Sequence, residues 1–222
     1  MNNKKWDALM LKAYNRKEYL IRDGITNQER YRDVNPKILW VLKEPNLGGK
    51  QRAKWSHRDF HKDGVADYTE WRNTYQPIIK VVYGILNNCF AHGKLPEITD
   101  DATIEEMNVL EYIAIINIDK RGGTSQSEQS KINNVYVEQK EFLLQQIEAI
   151  NPDIIINSSR VWNLFTDLVP KENRKKLGVQ NLSYGKTEEG KFVIHYYHPN
   201  QRTVKEWQYC NNILQVIKKR YE

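Results

Sequence analysis

Glu44, Asn117, Asn157 and His198 stand at the ends of four short apolar runs, KILWVLKEPN (37–46), YIAIINIDK (112–120), DIIINSS (153–159) and KFVIHYYHPN (191–200). Proline follows Glu44 and His198, fixing the turn and keeping each side chain out of a helix. A carboxylate held this way can stabilise a developing cation or orient a water. A histidine held this way can donate a hydrogen bond to an oxygen that gains charge as a bond breaks. The Asn117 amide offers a donor and an acceptor, enough to read one edge of a nucleobase or to cap the following turn. Plainer roles exist for the others: Glu44 pairing with Lys43, Lys50 or Arg52, and His198 bonded to a backbone carbonyl. His195, inside the last run, and Asn157 fit structural roles of that kind.

These groups meet only if the runs are parallel strands, whose carboxyl ends then share the edge where open α/β sheets bind ligands. Helical patterns lie between and around the runs, at 6–20, 69–88, 135–150, 160–168 and 203–221. Asn151-Pro152 stops one of them just before the third run, and a turn is expected at Gly185. Strands separated by helices imply crossovers, hence an α/β fold with a four-stranded parallel sheet. At 222 residues the chain is long enough to cover both faces of that sheet. A single domain spanning 1–222 is expected, with the helix at 6–20 packing on it.

Between the first run and the next helix, segment 47–67 has no clear period and mixes basic with aromatic residues. Lys50, Arg52, Lys54 and Arg58 could contact phosphates, and Trp55 or Phe60 could stack on a base. Tyr68, Trp71 and Tyr75 extend the aromatic set, although several of these rings would serve to pack the loop. His57 and His61 have an i, i+4 spacing but no third ligand, and read as solvated loop residues. Gly48-Gly49 and Gly122-Gly123 match no phosphate-loop pattern, which disfavours nucleoside triphosphate hydrolysis.

Two cysteines, Cys89 and Cys210, exclude a four-cysteine iron–sulphur cluster, and no cofactor or metal is expected. With 40% apolar and 28% charged residues the composition is globular, and no run has membrane-spanning length. The amino terminus, rich in polar residues, is unlike an export signal, so the expected location is the cytoplasm. A net charge of +6 suits a polyanionic partner without requiring one.

The arrangement resembles the uracil-DNA glycosylase superfamily, from about residue 35 to residue 212. Leu42-Lys43-Glu44-Pro45-Asn46 is similar to the first-strand motif, with Glu44 where the best-known branch has its water-activating aspartate. His198-Pro199-Asn200-Gln201-Arg202 is similar to the last-strand motif, and Asn117 to the asparagine that reads uracil, with Lys120 three residues on as in one branch. Leu42, Asn46 and Asn200 stand where the family has glycine, an aromatic or glycine, and serine. The resemblance implies a three-layer αβα sandwich and a DNA N-glycosylase, a hydrolase acting on a uracil-like or modified base flipped from DNA. A monomer is the favoured state. Glu44 and His198 would be catalytic. Asn117, Asn46, Asn200, Trp55 and Phe60 would contact substrate, and Lys50, Arg52, Lys54, Arg58 and Arg202 the nucleic-acid backbone. The altered motif positions leave a second reading open, a catalytically inactive nucleic-acid or nucleotide binding module on the same fold.

Overall fold

Strands buried on both faces need uninterrupted apolar sequence, and the four runs supply it. In the computed structural model, which describes residues 3–14, 20–47, 56–58, 68–95, 97–98, 109–124 and 127–221, a two-residue strand β1 (Gly24–Ile25) comes first. The first three runs form β2 (Ile38–Leu42), β3 (Ile113–Asn117) and β4 (Ile154–Asn157). Two short strands, β5 (Lys175–Lys176) and β6 (Ser183–Lys186), precede the last run, β7 (Phe192–His195).

The sheet order is β1-β3-β2-β4-β7-β6-β5. Its four central strands are parallel, with Leu42 opposite Asn117, Val41 opposite Asn157, and Asn157 opposite His195. The expected four-stranded sheet is therefore corrected to a seven-stranded mixed one, widened by antiparallel β1 on one side and the β6–β5 pair on the other. Gly185 lies within β6 rather than at a turn. There its Cα sits so close to the Asn173 carbonyl that a Cβ would come within 2.6 Å of that oxygen.

The α-helices among the described residues are α1 (Asn3–Ala13), α2 (Gln28–Asp33), α3 (Tyr68–Leu86), α4 (Gln129–Ile150), α5 (Trp162–Leu168) and α6 (Glu206–Tyr221). Strand alternation sorts the apolar side chains between two cores. On one face Ile38, Trp40, Ile113, Ile115, Ile154 and Ile156 pack under α3 and α6. On the other, Leu39, Val41, Ala114, Ile116, Ile155 and Val193 pack under α1, α4 and α5. Helix α4 begins six residues before its expected start and ends at Asn151, which adopts φ 50° and donates its N–H to the Ile147 carbonyl at 3.1 Å. No helix among the described residues is long and apolar enough to cross a membrane.

Candidate functional site

Beyond the carboxyl ends of β2, β3 and β7 lies a cleft of about 320 Å³, lined by residues that include Glu44, Asn117 and His198. The parallel register brings them together: Asn117 pairs with Leu42, two residues before Glu44, while His198 follows the last residue of β7 by three. Asn46, Asn200 and Arg202, three further expected site residues, also line the cleft. Asn157 does not. Its Nδ2 donates to the Val161 carbonyl at 2.9 Å, and its Oδ1 accepts from the Ser159 hydroxyl at 2.6 Å, so it organises its own turn.

Asn117 ends β3 on the side-chain face of Ile113 and Ile115, toward α3, which brings Thr74 and Tyr75 to the same cleft. Asn117 is 1% exposed, and among the described residues neither its Oδ1 nor its Nδ2 has a hydrogen-bond partner. Such a group is costly unless something else satisfies it. Its backbone is firmly held: the Asn117 N–H donates to Asp23 Oδ2 at 2.8 Å, and the Asn117 carbonyl accepts from Lys120 Nζ at 2.7 Å. Lys120 also donates to Asp23 Oδ2 at 2.7 Å and to Gln146 Oε1 at 2.8 Å, while Gln146 Nε2 donates to Asp23 Oδ1 at 2.9 Å. Burial pulls the Lys120 ammonium below the ordinary lysine range, and the Asp23 carboxylate opposes that shift.

Glu44 has a buried carboxylate, 3.5 Å from Lys131 Nζ across the loop. It packs against Gly123, where any Cβ would overlap the Glu44 carboxyl. The Gly123 N–H donates to the Pro45 carbonyl at 2.8 Å, the Leu47 N–H donates to the Gly123 carbonyl at 3.1 Å, and Asn46 and Gly123 form a β-bridge. The loops after β2 and β3 are thus joined, and Gly122-Gly123 serves close approach rather than phosphate binding.

The last strand is anchored from α6: the Tyr209 hydroxyl lies 3.1 Å from the Tyr197 carbonyl and 3.0 Å from Ser158 Oγ. The Nδ1 of His198 accepts from the Asn200 N–H at 3.2 Å. Neutral His198 therefore carries its proton on Nε2. Burial, with the nearby Lys43 charge, pushes the His198 pKa down to about 3. Gln201 Oε1 accepts the Thr203 N–H at 2.6 Å and the Val204 N–H at 2.8 Å, tying the Asn200–Arg202 turn to the approach of α6.

Two expectations from the basic segment are corrected. His57 is 3% exposed rather than solvated; it lines the cleft with its Nδ1 3.0 Å from the Tyr75 hydroxyl, and burial pushes its pKa down to about 4. Arg58 is turned inward, donating from Nε to the Asp23 carbonyl at 2.6 Å and from Nη1 to Asp7 Oδ1 at 2.8 Å. Its guanidinium secures the Asp23 segment and is spent there, so the phosphate-contact role does not hold. Lys50, Arg52, Lys54, Trp55, Phe60 and His61 lie outside the described residues. His57, Lys43 and Arg160 joined the cleft without being expected there. The one cue for Arg160 is its position just after the third run, at the same sheet edge.

Compared with models of known protein families and with curated proteins, the sequence matches none.

Proposed function

We propose that this protein is a nucleic-acid base glycosylase, a hydrolase that cleaves the N-glycosidic bond of a uracil-like or modified base flipped out of DNA. The observation that carries the reading is the buried, unbonded Asn117 amide in the same cleft as the Glu44 carboxylate and the His198 imidazole. An amide presents an acceptor beside a donor, the complement of the N–H and C=O edge of uracil or hypoxanthine. A cleft of about 320 Å³ is within the range of small-ligand sites, and the reaction requires the base to leave the stack and enter it.

In this reading the bond between the sugar C1′ and the base nitrogen breaks with its electron pair leaving on the base. His198, neutral, donates from Nε2 to the base oxygen where that charge collects, and a depressed pKa keeps it a neutral donor across the physiological range. Glu44 stabilises the cationic sugar and orients the water that adds to C1′, as carboxylates do in glycoside hydrolysis. Arg202, exposed at the rim, and Lys43, half-buried within, supply positive charge for the flanking phosphates.

The test is incubation with single- and double-stranded oligonucleotides carrying uracil, hypoxanthine, xanthine or modified cytosine, scored for abasic sites. Base release is expected from the native protein and is expected to be lost in Glu44→Gln and His198→Ala. Release that survives both substitutions together overturns these roles. Binding without release from any substrate favours the inactive binding module.

A further inference from the structure

We propose that a second pocket, beside the first, holds a neighbouring nucleotide of the same strand, its phosphate on Arg160 and Lys176 and its base against Trp162. This inference rests on the nucleic-acid reading of the first cleft. The pocket has a volume of about 260 Å³ and lies between the β4–α5 turn and the widened end of the sheet, formed by β5, β6 and β7. Arg160 lines both pockets, and Tyr197 of the second is followed directly by His198 of the first. A strand leaving the first cleft past Arg160 enters the second.

The lining is selective in chemistry. Among the described residues it has two cations, Arg160 and Lys176, and no carboxylate. His195 adds a neutral donor: its Nδ1 lies 3.1 Å from Asn157 Nδ2, and that amide is oriented by its Oδ1 accepting from the Ser159 N–H and hydroxyl. With Nδ1 accepting, His195 carries its proton on Nε2. Ser183 contributes a hydroxyl. Donors and cations without an acid suit a phosphate ester. Trp162 is 44% exposed and packs edge-on against the His195 ring at 5.2 Å, a stacking surface that accepts any base. Arg160 has φ 61°, in the left-handed region that only a well-braced turn imposes on a residue other than glycine. The bracing comes from Asn157, Ser159 and Gln129, whose Nε2 donates to the Ser159 carbonyl at 3.3 Å. Its guanidinium lies 5.7 Å from the centre of the Tyr197 ring, and among the described residues no carboxylate pairs with it.

The experiment is fluorescence anisotropy with a labelled single-stranded oligonucleotide bearing a non-cleavable abasic analogue at its centre, across a salt series. Trp162→Ala is expected to weaken binding about 10-fold, within the range that base stacking contributes. Lys176→Ala, on an exposed edge-strand residue whose loss leaves the core intact, is expected to lower the slope of log affinity against log salt by about 0.7, the loss of one single-strand phosphate contact. Unchanged affinity and slope in both variants overturn the subsite. The result is independent of base release: a protein that releases no base but loses affinity in both variants keeps the subsite and loses the glycosylase, and the converse pattern does the reverse.

Discussion

Two groups of buried polar atoms meet at Asn117 and are treated oppositely. Behind the strand, Asp23, Lys120 and Gln146 are 0–2% exposed, and their side chains bond to one another and to the Asn117 backbone at 2.7–2.9 Å. In front of it the Asn117 amide is as deeply buried and bonds to none of the described residues. The same residue thus has a fully satisfied backbone and an unsatisfied side chain. A satisfied network specifies a unique arrangement, while an unsatisfied group in a cleft costs stability that a ligand or a water entering the cleft can return. The contrast separates what holds the site from what the site is for.

The largest effect should come from breaking the satisfied side. Lys120→Ala leaves the Asp23 carboxylate buried without its counter-charge and should cost about 3–5 kcal/mol in urea denaturation. A loss below 1 kcal/mol would mean that water replaces the lysine and that the network is not a support. On the unsatisfied side the outcome should invert. Asn117→Leu, which keeps the same branched four-atom skeleton, removes two unbonded polar atoms and should leave the denaturation midpoint unchanged or raised, yet lower base release by about 10²–10³-fold on the proposed chemistry.

Protonation gives the next test. Burial pushes His57 and His195 down to about 4, and His198, also beside Lys43, to about 3, all below the ordinary 6.5. Between those values and 6.5 the unfolded chain binds more protons than the folded one, so stability should fall as pH drops from 6.5 toward 4, by up to about 1.4 kcal/mol per pH unit per histidine. Denaturation midpoints at pH 7, 6 and 5 check this, and His198→Asn should flatten the dependence. Base release should show no inflection near pH 6.5, because neutral His198 is the proposed donor. The smallest effect concerns the mount of Glu44: Gly123→Ala drives a methyl into the Glu44 carboxyl and should reduce base release by about 10-fold, with a stability loss of about 1 kcal/mol.

The central strands were legible because parallel strands buried on both faces must be continuous apolar runs, and Glu44, Asn117 and His198 were legible as the polar residues that end them. β1, β5 and β6 were not. They are two to four residues long, and Lys175-Lys176 reads as solvated sequence. Asp23 gave no local sign of its role, since its partners Lys120 and Gln146 lie 97 and 123 positions away. Arg58 and His57 sat in a basic, aperiodic stretch where charge pattern alone cannot tell an inward-facing guanidinium from an outward-facing one. Asn157 could be ranked below its neighbours from sequence, but the purpose of its hydrogen bonds, fixing the turn that presents Arg160, emerges only in three dimensions.

The bridge between Asn46 and Gly123 has a consequence for how this edge can change over evolutionary time. Surface loops ordinarily accept insertions one at a time. Here the loops carrying Glu44 and following Asn117 are laced together by the Pro45, Leu47 and Gly123 backbone, so lengthening either alone would unpick the other. Their lengths are therefore expected to co-vary.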